Sequence, residues 1–403
     1  MPTRNGYLWL SDMPIIALLI LLFFVSVVPL TLALCLRKRY RKVKFMLFAI
    51  AGLFIVSQTG LWLYDFSGMQ ASDRYFKLQS FLTQPFAGLN QLGLSKGKAI
   101  IALSYMAEGL VSYGIQHPDK RSEIILLLGN NIQIAFHPDI SPYDNINNVA
   151  NWGEEGLYLS HLNVILGAYQ RLAGDRKYFQ LNQTISQYLA KKMLTAPYYN
   201  MRSYNKAKDR WPADNAVTLY SLYLFDQNNQ TQISQLPIQK WLNYMETKGS
   251  EPKTKLHYSE ITGIEKYSRY PRGCALSWTV KYASDFAPEV AIELWHNYKK
   301  YYHKNFLITS GFREYPPNAN IGQDADSGPI IMGVGAGATG LALNAAKSVG
   351  DYLTYYQINN AVRFVDSIAN ILSAFGNKKW SKLSQDILAT SIRFNGETEV
   401  NWY

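Results

Sequence analysis

The sequence predicts an all-α protein, an (α/α)6 toroid or barrel domain preceded by two transmembrane helices. Three observations carry that prediction. Two charge-free apolar runs, Pro14 to Leu36 and Phe45 to Tyr64, are each long enough to cross a hydrocarbon core at ~1.5 Å rise per residue. Beyond Tyr64, helical signals recur with a period of roughly fifty residues, as stacked helix pairs require. Half of those helices follow loops rich in acidic, aromatic, Gly and Pro residues, while the helices between them have plain connections. Two concentric rings of helices produce such an alternation, with the decorated loops converging at one mouth. No βαβ rhythm is present, which argues against a parallel sheet.

The anchor is expected over residues 1–66, with spans at about 14–36 and 45–64. Pro29 is tolerated in a bilayer-spanning helix, and Trp62 and Tyr64 suit the water–lipid interface. Arg37, Lys38, Arg39, Arg41, Lys42 and Lys44 crowd the loop between the runs and hold it in the cytoplasm. The N-terminus and the domain over residues 67–403 are then extracytoplasmic, on an inner (plasma) membrane. A cleaved signal peptide fits poorly, because the first run is too long and ends in a stop-transfer cluster.

The net charge of +11 is largely that cluster, so the lipid bilayer, not nucleic acid, is the expected partner. Apolar residues at 48% exclude a disordered chain. Cys35 and Cys274 are too few for a disulfide framework or a zinc finger. No metal and no cofactor is expected, and an oligomer is compatible with the chain.

In order, helices are expected at Ile100 to Gly114, Glu155 to Leu172, Tyr178 to Met193, Asn215 to Phe225, Pro237 to Met245, Ala275 to Tyr282, Pro288 to Tyr302, Gly337 to Val349 and Tyr352 to Phe375. Trp380 to Ile387 reads as a terminal turn. Ile124 to Ile134 and Leu256 to Ile261 read as short strands or irregular segments. Gly174-Asp175 stops one helix and starts the return of a hairpin.

The decorated loops supply the candidate site. Glu154, Asp214, Asp324 and Asp326 are candidate catalytic carboxylates, and His161 stands two turns from Glu154 on the same side. Trp152, Glu155, Trp211, Tyr270, Arg272, Cys274 and Trp278 are the candidate substrate-binding residues. A carboxylate at a helix start commonly caps orphan amides, as Asp214 and Asp326 can. A lone helical histidine is usually a satisfied core residue. Several acids among aromatic walls nevertheless describe a ligand pocket, in which two carboxyls of separated pKa act as acid and base. Gly333-Val-Gly-Ala-Gly337 lacks the preceding strand of a phosphate loop and more naturally permits close helix packing.

The stretch His161-Leu-Asn-Val-Ile-Leu-Gly-Ala-Tyr-Gln170 with Gly174-Asp-Arg-Lys-Tyr178 resembles the linalool dehydratase/isomerase family. So do Pro212-Ala-Asp-Asn215 leading into Val217 to Asp226, Trp278-Thr-Val-Lys-Tyr282 with Asp285 to Pro288, and Asp324-Ala-Asp326 before a Gly-rich helix. The resemblance is collinear over about Ile100 to Asp351. It implies an extracytoplasmic α/α toroid that uses acid/base chemistry on a terpene or allylic alcohol, without metal or cofactor. It places His161 at the family's pocket histidine and aligns Cys274 near its pocket tyrosine. Asp214 lies in a segment where the family carries a cysteine and this chain has none between Arg202 and Thr218.

The expected function is therefore a membrane-anchored lyase/isomerase of the hydratase–dehydratase type on a lipophilic alcohol or isoprenoid. The alternatives are an envelope glycan-processing hydrolase, lyase or epimerase built on paired carboxylates, and a non-catalytic binding protein on the same fold. Wall polarity separates the first two, since a lipophile needs an apolar pocket and a saccharide a polar one.

Overall fold

The computed structural model describes residues 40–319, 321–324, 326–331, 333–374 and 386–403. The first apolar run, Cys35, Arg37, Lys38 and Arg39 lie outside the described residues, as does most of the expected turn at Trp380 to Ile387. The second apolar run lies within helix α1, Arg41–Phe66, which is long and apolar enough to cross a membrane. Its side chains are largely exposed, Phe45 by 76% and Leu53 by 73%.

Helices then alternate between two layers. The outer layer holds α2 (Met69–Thr83), α4 (Arg121–Ala135), α6 (Phe179–Thr195), α8 (Gln235–Thr247), α10 (Pro288–Tyr302) and α12 (Tyr352–Ala374). The inner layer holds α3 (Lys96–Gln116), α5 (Gly156–Ala173), α7 (Pro212–Asn229), α9 (Gly273–Phe286), α11 (Ala336–Ser348) and α13 (Ile387–Thr398). Each inner helix packs on the next and α13 packs back on α3, so among the described residues six inner helices close a ring.

Contacts advance along neighbouring inner helices in the same direction, which makes those helices parallel. Ser160 bonds Thr218 at 2.7 Å, Asn163 bonds Ser221 at 3.1 Å and Asn228 reaches the Gly167 carbonyl at 2.9 Å. On the far side Asn344 bonds Asn395 at 2.7 Å, and Gln116 donates to the Thr398 carbonyl at 2.6 Å. Small residues allow this close approach. A methyl group on Gly114 would stand 2.9 Å from Leu172 Cδ2, inside contact distance.

Three expectations change. Ile124 to Ile134 is helical within α4, because Ile124, Leu127, Leu128, Asn131, Ile132 and Ala135 form one buried stripe at helical spacing. Outer helix α2 and inner helix α13, which the periodicity did not single out, complete the ring. Among the described residues the strand content is three two-stranded antiparallel pairs, β1 (Ile261–Gly263) with β2 (Lys266–Tyr267), β3 (His303–Asn305) with β4 (Ser310–Phe312), and β5 (Ile330–Ile331) with β6 (Val334–Gly335). All of them lie in the loops before inner helices.

Candidate active site

Parallel inner helices bring their N-termini together at one end of the ring, where the decorated loops meet. Asp214 lies in the first turn of α7. It does not cap that helix: its carboxyl accepts the Ser203 hydroxyl rather than a backbone amide. Burial pushes Asp214 up to about 6, opposed by the Ser203 bond and reinforced by nearby Asp326. Tyr204, next to Ser203 in the chain, turns its ring edge-on to Trp211 at 6.4 Å between centroids. Asp326 is exposed on the loop opposite and stands 3.9 Å from Lys98 at the start of α3.

Beside this group Arg272 anchors a second cluster. Its Nε meets the buried Glu314 carboxylate at 2.9 Å and its Nη2 meets Asp324 at 2.9 Å. Cys274 donates its thiol to Glu314 at 2.9 Å. Burial pushes both up, the thiol well above its usual value with the Glu314 charge adding to the effect. Asp324 behaves oppositely. Against the upward pull of burial, the Ser327 amide and Arg272 hold its carboxyl below the usual range. The Ser327 amide, at 2.7 Å, and the Asp326 amide, at 3.0 Å, close the loop on Asp324.

Further down the ring the inner helices pack a cluster of aromatic side chains. His161 is fully buried and neither ring nitrogen has a protein partner. Burial, then the charge of Lys281, lowers it to about 3, so the imidazole is neutral. Its ring sits edge-on to Trp278 at 5.7 Å. The Trp278 indole N–H is likewise buried without a protein partner, and the Tyr105 ring stands edge-on to Trp278 at 6.2 Å between centroids. Beside them is a buried ion pair across the ring, Glu108 of α3 with Lys281 of α9, whose ammonium lies 3.8 Å from the Tyr282 ring centroid. His161 is therefore buried as a core histidine would be, yet it lacks the hydrogen bonds that would satisfy one.

The remaining candidates are placed elsewhere. Glu154 is held by Arg210 at 3.2 Å and Arg202 at 3.7 Å, and Glu155 accepts the Asn205 amide at 3.1 Å. Both tie the loop before α5 to the loop before α7. Trp152 is fully buried, donates to the Ile146 carbonyl at 2.8 Å and packs edge-on against Tyr188 of outer helix α6. It lines a cavity of about 740 Å³ outside the ring, bounded also by Tyr143, Asn145, Asn147 and Tyr178, a lining that does not include His161. Tyr270 lies under the Arg269 guanidinium, 5.1 Å from its centroid. A smaller cavity of about 320 Å³ shares Tyr143, Asp144 and Asn145 with the first and reaches Glu155 and Asn205 near the mouth. The expectation that Trp152 and His161 share one cavity thus fails, because outer-layer packing claims the tryptophan.

Sequence reading passed over Ser203, Tyr204, Glu314, Glu108, Lys281 and Tyr105. Glu108 and Lys281 did carry a signal. Each is a lone charge within an apolar or small-residue helical stretch, a pattern that requires a buried partner. Glu314 carried none, since it follows a two-stranded hairpin with no helical register to place it. Among the described residues no group of His, Cys, Asp and Glu is arranged to hold a metal ion.

No family model and no curated protein matches the chain. A solved family 76 glycoside hydrolase from a bovine Bacteroides thetaiotaomicron strain is similar in structure, at 11% identity and a TM-score of 0.43. The similarity covers 67% of this chain and 58% of that one.

Proposed function

We propose that the ring mouth is the active site of an envelope glycan-processing enzyme, with Asp214 as the proton donor and Asp326 as the second carboxyl. The observation that carries this reading is Asp214 itself: a half-buried carboxyl raised to about 6, facing the field of a second aspartate and flanked by Tyr204 and Trp211. An acid poised there holds its proton near neutral pH and can deliver it to a leaving oxygen.

The polarity of the surroundings supports a saccharide over an isoprenoid. The mouth presents Lys98, Arg272, Asp324 and Asp326, and Asn145, Asn147, Asn148, Asn151 and Asn205 line the two cavities with tyrosines. Amide and hydroxyl groups match sugar hydroxyls, and aromatic rings match the apolar faces of sugar rings. In a hydrolytic step Asp214 gives its proton to the glycosidic oxygen as the C–O bond breaks. Water adds to the anomeric carbon and yields a proton to Asp326. An anchor in α1 keeps such an enzyme beside the envelope, with its domain on the extracytoplasmic side.

The lyase reading draws on the deeper aromatic cluster, where neutral His161 packs against Trp278. Two variants separate the readings. Asp214→Asn should lower release of reducing ends from isolated envelope polysaccharide by about 10²-fold or more, while His161→Ala leaves it within a small factor. The opposite ranking, or no release by the parent protein, overturns the glycan reading.

A further inference from the structure

We propose that the turn between β3 and β4 is a second contact of this protein with the lipid bilayer, inserted at the headgroup–acyl boundary. The proposal rests on reading α1 as a membrane span. At the turn, Phe306 is 46% exposed and Leu307 is 68% exposed, an adjacent apolar pair facing outward. Leu307 also has φ 71, a left-handed conformation that disfavours a branched aliphatic residue by about 1–2 kcal/mol.

The turn is rigidly held in spite of that. Asn305 accepts the Leu307 amide at 2.8 Å, Gln357 donates to the Leu307 carbonyl at 2.6 Å, and Asn360 donates to the Ile308 carbonyl at 2.9 Å. The Leu307 and Ile308 carbonyls are held by α12, the Phe306 amide bonds the Thr309 carbonyl within the turn at 2.8 Å, and the two apolar side chains remain exposed.

The same stretch of α12 holds α1. Tyr356 donates to Gln58 at 2.9 Å, and Arg363 binds Asp65 while donating to Asn360 at 2.6 Å. Positions 356, 357, 360 and 363 thus fix the turn beside the last part of the apolar helix. The pairs Gln58 with Tyr356 and Asp65 with Arg363 show that α1 and α12 run parallel there. The turn, bonded at 357 and 360, is therefore level with the final two turns of α1. Those residues lie within about 10 Å of the end of the apolar run, at ~1.5 Å per residue. That depth is where interfacial apolar groups bury themselves. A two-point attachment of this kind would fix the tilt of the ring, and hence of its mouth, relative to the membrane.

The test uses the full chain in nanodiscs of mixed zwitterionic and anionic phospholipid. Cys35 and Cys274 are replaced by serine, and a bimane label is placed through Leu307→Cys or, separately, Phe306→Cys. One lipid batch carries a nitroxide near the headgroup end of one acyl chain, read at 306, 307 and 187, and a second carries it near the chain's methyl end, read at 53. Reference labels sit at Leu53→Cys on α1 and at Gln187→Cys, exposed on α6 across the ring. Quenching at 306 and 307 should exceed that at 187 by about two-fold or more, as for a group at the acyl boundary. Quenching at 306 and 307 no greater than at 187, with 53 strongly quenched, overturns the proposal and leaves the span reading intact. An unquenched label at 53 defeats the span reading and the proposal with it.

Discussion

Replacing Lys281 with methionine tests the ring at its centre. The ammonium is the charge partner of Glu108, with the Tyr282 hydroxyl 3.4 Å from the same carboxylate and the rings of Tyr105 and Tyr220 within 5.3 Å of the ammonium. Burial already pushes Glu108 up, and Lys281 is the main opposing influence. A unit-charge pair about 4 Å apart is worth about 4 kcal/mol at an effective dielectric near 20. Removing one partner of a buried pair costs about 3–5 kcal/mol, so the two estimates agree. For a domain this large that is a drop in Tm of about 5–10 °C, readable by thermal unfolding in detergent.

The loss should depend on pH with a definite sign. Without Lys281 the folded-state pKa of Glu108 rises further above the unfolded value of about 4.3, so the folded chain retains a proton that the unfolded chain releases. Stability of the variant then falls as pH rises from about 4.3 toward the folded pKa, by up to about 1.4 kcal/mol per pH unit. The double variant Glu108→Leu with Lys281→Met removes both charges and should recover most of the loss. A single variant that melts within about 1 °C of the parent across this range, or a double variant worse than the single, would refute the account.

If Asp214 must be protonated to act, kcat/KM on an envelope glycan falls as pH rises through about 6, and a flat profile across that range removes it as the acid. Cys274→Ser should leave turnover within about two-fold, and the native thiol should react with maleimide far more slowly than a free cysteine, since burial and Glu314 keep it protonated. Rapid labelling would contradict the geometry around Glu314. Gly273→Ala places a methyl 2.1 Å from the Arg313 carbonyl and 2.8 Å from Ala338, so it should destabilise the domain by about 1–3 kcal/mol or more. An unchanged melting temperature would mean that the loop before α9 has slack.

Much of the fold was legible in the sequence because helices are local. Nine expected helices lie inside observed ones to within a few residues, and Gly174 ends α5 in the left-handed conformation that its sequence position suggests. The short amphipathic α4 was less legible. Its buried stripe runs through an Ile- and Leu-rich segment whose local composition suits a strand equally well, and packing against α3 and α5 decides between them. The site was legible by neighbourhood more than by residue. The decorated loops do meet at one mouth, because parallel inner helices leave their N-termini no other place.

By itself the sequence determined the apolar α1, the alternation of plain and decorated helix starts, and the residue types that carry acid/base chemistry. Tertiary structure alone decided which acids remain available. Glu154 and Asp324 are occupied by arginines and loop amides, whereas burial raises the pKa of Asp214, opposed by a bond from a neutral hydroxyl and by no arginine. It also decided that Trp152 packs outward and that Glu108 finds Lys281, a partner 173 residues away. The physical reason is range. Helix periodicity and turn chemistry act over a few residues, while desolvation and charge pairing depend on which distant segments the closed ring brings together.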